Sequence, residues 1–241
     1  LDGKEIKVFE PAIRVTKAHD KVYVLRGDGK GNYVAYPHHT LNGLLHLEVA
    51  TTGEFYFSPT LVTFKDIKKH YAKGEIEELA SRHIVFGTGN NKYSPNNDMT
   101  RAQFAVMISR ALGLKATGEN PFADTSGKWY EQEVRALYEA GIISGTSATT
   151  FNPGATITRQ QAALMLEKVL QHAGVSTEVV HEPTFNDTNA IADNAQNAVA
   201  VLENLDVIHG KSGNKFDPNG HLTRGQMAKM FWKVLQITKQ Y

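Results

Sequence analysis

A ten-residue stretch occurs three times in this chain, as PNNDMTRAQF at residues 95–104, PGATITRQQA at residues 153–162 and PNGHLTRGQM at residues 218–227. In each copy a Thr-Arg-x-Gln sequence begins five residues after a proline. Repetition at a fixed spacing is typical of repeat architectures, in which each unit buries its apolar face against its neighbours. The sequence therefore predicts three structural repeats.

The repeats extend on both sides of this stretch. Each unit opens with Phe-x-Asp, continues with a helix-like segment, and reaches a turn glycine eight residues before the proline and an aromatic residue two residues before it. The opening residues are Phe64 and Asp66, Phe122 and Asp124, and Phe185 and Asp187; the turn glycines are Gly87, Gly145 and Gly210; the aromatic residues are Tyr93, Phe151 and Phe216. These elements define units of about 64–116, 122–174 and 185–238.

A helix is predicted after each motif threonine, because apolar residues recur there at steps of three and four. Thr followed three residues later by Gln is also a capping box. The apolar stripes comprise Phe104, Met107, Ile108, Ala111 and Leu112; Ala162, Met165, Leu166, Val169 and Leu170; and Met227, Met230, Phe231, Val234 and Leu235. Three equivalent helices can bury these stripes together, so we expect a mainly α, pseudo-threefold bundle with the motif helices at its centre.

Arg101, Arg159 and Arg224 occupy the first turn of these helices, where the macrodipole disfavours a cation by about 0.3–1 kcal/mol. A guanidinium beside unpaired helix N–H groups can bind an anion, and its fork suits a carboxylate held by two hydrogen bonds. Alternatively, each arginine pairs with an opening aspartate of a neighbouring repeat and staples the bundle. The two interpretations are compatible with each other.

The recurring Phe-x-Asp, glycine turn, aromatic-x-Pro and Thr-Arg-Ala-Gln elements resemble a tandem of S-layer homology (SLH) domains over residues 64–238. The resemblance implies an all-helical, three-pronged spindle that binds secondary cell wall polysaccharide non-covalently in grooves between repeats. The usual terminal epitope is pyruvylated N-acetylmannosamine, whose carboxylate the motif arginine approaches. An extracellular location in the cell wall or S-layer of a Gram-positive cell is also implied.

Matched position by position, the resemblance implies that the three motif arginines bind the carboxylate. The turn residues would contact the sugar through main-chain or hydroxyl groups, and these are Gly87, Gly145, Ser147, Gly210, Lys211 and Ser212. The opening aspartates Asp66, Asp124 and Asp187 would bind sugar hydroxyls or orient the groove. An aromatic residue seven positions after the opening Phe would stack on a pyranose, and Tyr71 and Trp129 stand there.

The chain departs from the family pattern at several positions. Ala192 replaces the third stacking aromatic residue. Gly225 weakens the first turn of the third motif helix by about 1 kcal/mol relative to alanine. Gln103, Gln161 and Gln226 stand where Glu is commoner, which keeps the capping box and deletes a negative charge. We therefore expect unequal grooves that retain anion binding.

Residues 1–63 differ in composition from the repeats. Short runs rich in β-branched and aromatic residues alternate with turns at 27–32 and 52–53, which predicts a small antiparallel β unit or the end of a larger β domain. The runs lie at 8–9, 12–15, 22–25, 33–36, 44–49 and 55–57. Residues 59–63 lead directly into the first repeat and favour a rigid junction, whereas residues 171–184 lengthen the connection to the third repeat and are expected to be more mobile.

Composition narrows the function further. The 241 residues are 41% hydrophobic and 21% charged, as in ordinary globular proteins, and the net charge of +1 without a long basic block argues against nucleic acid binding. Without cysteine there are no disulfides or thiolate metal sites, and no run approaches the ~20 apolar residues of a membrane span. Because Leu1 begins without a signal peptide, we expect a mature or trimmed chain.

No catalytic motif is evident. His38 and His39, with His46 nearby, are a poor chelating set, because adjacent residues of a strand point to opposite faces. Neither a Gly-x-Ser-x-Gly element nor a phosphate loop is present. We expect a module without enzyme activity, cofactor or metal that binds polysaccharide attached to peptidoglycan. Two alternatives stay open: the repeats deliver a polysaccharide-active extracellular enzyme to the wall, or they assemble with other S-layer subunits.

Overall fold

The computed structural model describes residues 5–8, 12–17, 22–41, 44–49 and 53–238, in which seven β-strands precede six α-helices. The strands are β1 (Glu5–Val8), β2 (Ala12–Lys17), β3 (Tyr23–Gly27), β4 (Tyr33–Ala35), β5 (His39–Leu41), β6 (Leu44–Val49) and β7 (Gly53–Ser58). The helices are α1 (Lys73–Ser81), α2 (Arg101–Leu112), α3 (Glu131–Glu139), α4 (Arg159–His172), α5 (Gln196–Asn204) and α6 (Arg224–Ile237). None of these described helices is both long and apolar enough to cross a membrane.

The strands form two antiparallel sheets, with the orders β1-β7-β3-β4 and β2-β6-β5. Val24, Leu45, Phe55 and Phe57 form a buried apolar cluster. The expected antiparallel β unit before the repeats is therefore confirmed. Phe9 of the first predicted run and Thr52 of the second predicted turn lie outside the described residues.

The described residues divide into two compact units. The first contains the strands, the first repeat up to Ser94, and Arg110–Gly113, whereas the second contains Pro95–Ser109 and Leu114–Thr238. Most of the first repeat thus belongs to the same unit as the strands, and the start of its motif helix belongs with the second and third repeats. The domain boundary expected at residue 63 stays a prediction.

Each repeat contributes a nine-residue first helix (α1, α3 or α5) and a longer motif helix (α2, α4 or α6) that begins at the motif arginine. The predicted capping boxes are present at Thr100, Thr158 and Thr223, where each hydroxyl accepts from the main-chain N–H of the motif Gln. The apolar stripes are buried, except that Leu112 is half-buried. The rings of Phe104 and Phe231, from α2 and α6, lie 6.4 Å apart.

A closed ring of main-chain hydrogen bonds joins the segments just before the three motif helices. The N–H of Met99 donates to the carbonyl of Leu222 (3.0 Å), Leu222 donates to Ile157 (3.3 Å), and Ile157 donates back to Met99 (3.0 Å). All three side chains are buried. The ring gathers the N-termini of the motif helices at one place.

The connection between α4 and α5 is hydrogen-bonded to the C-terminal end of α5. The amides of Val180 and His181 donate to the side-chain oxygen of Asn204 at 2.8 and 3.0 Å. The amide and hydroxyl of Thr184 donate to the carboxylate of Glu203. Polar side chains at the end of α5 therefore hold a segment that its composition alone would predict to be mobile.

Candidate functional site

The main-chain N–H groups at the start of each motif helix are already hydrogen-bonded. In α2, the amides of Arg101 and Ala102 donate to the carbonyls of Ala155 (2.9 Å) and Pro153 (3.1 Å) of the second repeat. The equivalent amides of α4 donate to Gly220 and Pro218, and those of α6 donate to Asn97 and Pro95. The expectation of unpaired helix N–H groups is wrong, because neighbouring segments of the ring supply carbonyls to them. Any anion here must be bound by side chains or by other amides.

The guanidinium of Arg101 lies against the turn of the second repeat, in a contact that we call the 1–2 junction (Arg101 with residues 144–152). Its Nε donates to the carbonyl of Phe151 (3.0 Å), its Nη2 donates to the carbonyl of Ser144 (3.3 Å), and the group lies 4.6 Å from the centre of the Phe151 ring. The residue is only 7% exposed.

Two of the five N–H donors of this guanidinium are thereby occupied. Both Nη1 donors and the second Nη2 donor of Arg101 make no hydrogen bond to the described residues. The terminal edge of the fork is therefore available, while its Nε edge is anchored.

The same arrangement recurs at the 2–3 junction (Arg159 with residues 209–219). Arg159 donates from Nε to the carbonyl of Phe216 and from Nη2 to the carbonyl of His209 (3.0 Å), and it lies 4.9 Å from the Phe216 ring centre. Arg159 is 5% exposed, and Arg224, which begins α6, is buried as well. Ser144 and His209 were missed by sequence reasoning, although their signal is simple: each stands directly before the turn glycine.

The opening aspartates bind the same turns from the other side. Asp124 accepts from the amides of Phe151 (2.9 Å) and Asn152 (2.7 Å). Asp187 accepts from the equivalent amides of Phe216 and Asp217 at 2.7 and 2.8 Å, and Asp66 accepts from those of Tyr93 and Ser94 at 2.9 and 2.8 Å. Each aspartate thus orients its turn, while its expected role in a sugar-binding groove stays a prediction.

Arginine and aspartate therefore staple neighbouring repeats through the main chain. At the 1–2 junction, Asp124 holds the N–H of Phe151 while Arg101 of the preceding repeat holds its carbonyl. Arg159 and Asp187 do the same to Phe216. At these two junctions the arginine and the aspartate do not form the direct pair considered from the sequence. Instead, the arginine binds the carbonyl and the aspartate binds the N–H of the same phenylalanine.

Burial and hydrogen bonding shift the ionisation of these groups. Burial lowers the pKa of Arg101 and of Arg159, and nearby aspartates oppose the shift, Asp124 for the former and Asp217 with Asp187 for the latter. An arginine stays charged in proteins even so. Burial alone would raise the pKa of Asp66, but main-chain N–H groups, led by that of Tyr93, together lower it.

The turn glycines are required by close packing. A Cβ at Gly145 would lie 2.3 Å from the carbonyl oxygen of Ser147 and 2.6 Å from the ring of Phe122. At Gly87 it would lie 2.7 Å from the ring of Phe64. At Gly210 the nearest atom would be the side-chain oxygen of Asn214, at 2.6 Å. Gly87 and Gly145 therefore let the turn close over the opening phenylalanine of the repeat, whereas Gly210 makes room for Asn214 of its own turn.

A cavity of about 380 Å³ opens at the 2–3 junction. It is lined by Asp187, Ala190, Lys211, Ser212, Lys215, Asp217, Pro218 and Asn219. Three residues expected at the site, namely Asp187, Lys211 and Ser212, thus line one cavity, and Arg159 lies close enough for the charges of Asp217 and Asp187 to act on it. The ammonium of Lys211 pairs with Asp217 at 2.6 Å.

Gln160, directly after the motif arginine, crosses the 2–3 junction. Its side chain donates to the side-chain oxygen of Asn219 (2.8 Å) and accepts from the amide of Ala192 (3.0 Å). The position that lacks a stacking aromatic residue therefore lies beside the start of α4. At the 1–2 junction the equivalent of Gln160 is Ala102, which has no polar side chain.

The two expected stacking residues are exposed. Tyr71 is 62% exposed and Trp129 is 65% exposed, unusually high values for such large aromatic side chains. Each packs beside its chain neighbour, Tyr71 on His70 (4.4 Å) and Trp129 on Tyr130 (5.2 Å). Ser147 and Ser212 are exposed on their turns. Sugar stacking by the two aromatic residues stays a prediction.

The histidines near the sheets do not form a metal site with the residues described. Both ring nitrogens of His38 are hydrogen-bonded within the protein, and the side chains of His39 and His46 lie outside the description. Across the described part of the chain, no group of three or more His, Asp or Glu side chains could hold a metal ion.

The model of the S-layer homology domain matches residues 63–105, 121–163 and 184–228, which together exceed half of the chain. The chain therefore belongs to the S-layer homology domain family, with three tandem repeats. Proteins of this family are found at the cell surface and in the cell wall, and this is where the chain functions.

Curated relatives fall into two groups. An amylopullulanase of Thermoanaerobacterium thermosulfurigenes is 38% identical over 72% of this chain and 10% of its own length, and the exoglucanase XynX of Acetivibrio thermocellus is 37% identical over 73% of this chain and 16% of its own. The surface-layer 125 kDa protein of Lysinibacillus sphaericus is 28% identical over 69% of this chain and 14% of its own length. The chain thus matches only a small part of each relative.

Proposed function

We propose that the three repeats anchor a surface protein non-covalently to the cell wall by binding secondary cell wall polysaccharide, with terminal pyruvylated N-acetylmannosamine as the epitope. The observation that carries the proposal is the terminal edge of Arg101 and Arg159. Each guanidinium is held by two carbonyls and an aromatic ring, while its Nη1 donors are left for a ligand. A ketal pyruvate offers the carboxylate that this edge can bind with two hydrogen bonds.

The junctions supply further groups suited to a sugar acid. At the 2–3 junction Lys211, Lys215 and Ser212 line one cavity together with Asp187 and Asp217, whose charges act on Arg159. In the second repeat Trp129 is the most exposed large aromatic side chain and could cover a pyranose face. We infer that each groove takes one sugar residue and that the two grooves differ in affinity.

We also propose a pseudo-threefold arrangement of the repeats. The closed ring of Met99, Leu222 and Ile157 supports it, because each repeat plays the same donor and acceptor part toward the next. The equivalent amide pairs of Arg101 with Ala102, Arg159 with Gln160 and Arg224 with Gly225 support it in the same way. Such symmetry would create equivalent grooves that differ only in side chains.

Calorimetric titration tests the binding proposal. The chain is titrated with N-acetylmannosamine carrying a 4,6-ketal pyruvate and, separately, with the same sugar without pyruvate. We expect binding of the pyruvylated form only. Binding of neither sugar would contradict the proposal, and equal binding of both would show that the arginines do not read a carboxylate.

Substitution of the anchored arginine sharpens the test. Arg159→Ala should weaken binding of the pyruvylated sugar by about 1.5–3 kcal/mol, the contribution of a hydrogen bond to a charged group. The change also removes hydrogen bonds to Phe216 and His209, so the free energy of unfolding should fall by about 2 kcal/mol. The titrations are therefore done well below the melting temperature of the variant. Arg135→Ala in α3, paired with Glu139 away from both junctions, is the control. Unchanged binding in Arg159→Ala would leave the arginine as a staple alone.

A second proposal is that the protein carrying this chain is a polysaccharide-active enzyme delivered to the wall by the repeats. Sequence similarity favours it: the enzymes named amylopullulanase, exoglucanase and endoglucanase are 35–38% identical to this chain, whereas the S-layer proteins are 27–28% identical. Assaying the whole gene product on starch and glucans would test it. Hydrolysis that persists when the repeats are deleted, together with lost wall binding, is the expected result.

A further inference from the structure

A buried histidine joins the β-strands to the first repeat inside the first compact unit. His38 is 2% exposed, and its Nε2 lies 2.7 Å from Nη1 of Arg82, the residue after α1. Its Nδ1 lies 2.8 Å from the carbonyl oxygen of Tyr36, and the amide of Val24 in β3 donates to Nε2 (3.4 Å). Loop, strand and helix end therefore meet at one imidazole.

These partners determine the protonation state of His38. A carbonyl can only accept a hydrogen bond, so Nδ1 carries the proton. A guanidinium and an amide can only donate, so Nε2 presents its lone pair. The imidazole is therefore neutral, and its one acceptor, Nε2, accepts a hydrogen bond from the guanidinium of Arg82 in the first repeat.

Among the described residues, charged and titratable groups around this contact come from α1, the residues that follow it and β3. The guanidinium of Arg82 lies 5.1 Å from the ring centre of Tyr23, and its Nη2 is 3.4 Å from the carboxylate of Glu78. His83 is also close, with Nδ1 3.0 Å from the carbonyl of Tyr33. That carbonyl accepts a hydrogen bond from Nδ1, so the contact of His83 does not use the lone pair of an imidazole nitrogen.

We propose that His38 is a pH-sensitive latch that fastens the β-strands to the first repeat. Protonation removes the acceptor at Nε2 and sets an imidazolium 2.7 Å from a guanidinium. An unfolded histidine has a pKa of about 6.5, and the closed contact disfavours the added proton. The contribution of the latch is therefore complete above about pH 6.5 and is lost as the pH falls below it, by about tenfold in the opening equilibrium per pH unit.

Hydrogen–deuterium exchange of the full chain at pH 7.5 and pH 5.5, corrected for the intrinsic exchange rate, tests the latch. Peptides covering residues 22–38 and 73–85 should open about tenfold more readily at pH 5.5, while peptides covering α4 should change little. In His38→Gln the amide can still accept from Arg82 but cannot be protonated, so the tenfold response should disappear. His83→Gln should retain it.

Nitrogen-15 NMR of the histidines gives a second measurement. It uses the unmodified chain, so it tests the proposal even if His38→Gln fails to fold. We expect His38 to be the neutral Nδ1–H form at pH 7.5 and to become protonated only as residues 22–38 lose protection. A His38 that titrates while protection is kept would overturn the proposal. So would equal opening at both pH values, or a tenfold response that survives His38→Gln.

Discussion

The 1–2 and 2–3 junctions share a main-chain frame and differ in the side chains placed on it. In both, an arginine of one repeat and an aspartate of the next hold the two ends of one aromatic residue, Phe151 or Phe216. Around this frame, the 1–2 junction has Thr146 and Asn152 where the 2–3 junction has Lys211 and Asp217.

The difference shows which residues build the junction and which set its chemistry. The frame needs the repeated Asp, Gly, aromatic residue and Arg, because each contacts backbone or packs where only that residue type fits. The positions between them face the cavity or the solvent, so they can change without disturbing the frame. Unequal ligand binding by otherwise equivalent junctions is the expected consequence.

Removing an opening aspartate should have the largest effect on folding, and an equal one at both junctions. Asp124→Ala and Asp187→Ala each leave two amides without an acceptor, one of them on a fully buried phenylalanine. Loss of hydrogen bonds to a charged group and an unsatisfied buried donor should together lower the free energy of unfolding by about 3 kcal/mol. Chemical denaturation measures this.

Asp193→Ala is the matched control, because Asp193 is an exposed aspartate at the start of the Asp193–Ala195 turn. It should change stability by less than about 0.5 kcal/mol. A large difference between Asp124→Ala and Asp187→Ala would break the comparison, since it would mean that the two frames are not energetically equivalent.

Replacing the turn glycines by alanine should destabilise the two junctions to different extents. At Gly145 the added Cβ meets the carbonyl of Ser147 and the ring of Phe122, neither of which can move away easily, so we expect a loss of about 3 kcal/mol. At Gly210 the nearest atom is the side-chain oxygen of Asn214 and main-chain atoms of Asn214 lie at 3.1 and 3.2 Å, so we expect a smaller loss of about 2 kcal/mol. Thermal unfolding of both variants gives the order.

Gly154→Ala serves as the control in the same repeat. An added Cβ at Gly154 has no neighbour within 4 Å and its φ is not positive, so the change should be neutral or stabilise by a few tenths of a kcal/mol. Equal losses in Gly145→Ala and Gly210→Ala would show that the turn backbone, rather than the atom nearest to the Cβ, sets the cost.

The sequence predicts the repeated parts of this molecule well, because their signals are local. Three- and four-residue spacing gives the buried stripes, and Thr-x-x-Gln gives the capping boxes of α2, α4 and α6. The antiparallel β unit follows in the same way from β-branched runs and turns.

The partners of the motif arginine could not be predicted, because they are carbonyls. A main-chain acceptor has no residue identity, so only the position before the turn glycine, and not the residue type, marks Ser144 and His209 as partners of Arg101 and Arg159. The satisfied helix amides have the same origin, since Ala155 and Gly220 contribute only their carbonyls. From the sequence alone, a charged side chain is expected to pair with another charged side chain, and main-chain carbonyls are not expected as its partners.

The smallest effect concerns acid stability, and it should be confined to the 2–3 junction. The hydrogen bond from Lys211 is the main cause that lowers the pKa of Asp217 below its usual value. A carboxyl with a lower pKa in the folded state stabilises the fold above its unfolded pKa, and this contribution is lost as the pH falls through the folded pKa. Lys211→Met should therefore raise the acid midpoint of Asp217, but by a few tenths of a pH unit at most, because the pair is largely exposed.

NMR titration of the Phe216 and Phe151 amides between pH 2 and pH 6 measures this difference. In the unmodified chain the Phe216 amide should report the titration of the neighbouring Asp217, whereas the residue after Phe151 is Asn152, which does not titrate. Lys215→Met is the control, since Lys215 lines the same cavity without an ion pair to Asp217. If Lys215→Met moved the midpoint as far as Lys211→Met, the charge of either lysine in the cavity, and not the 2.6 Å pair, would distinguish the two junctions.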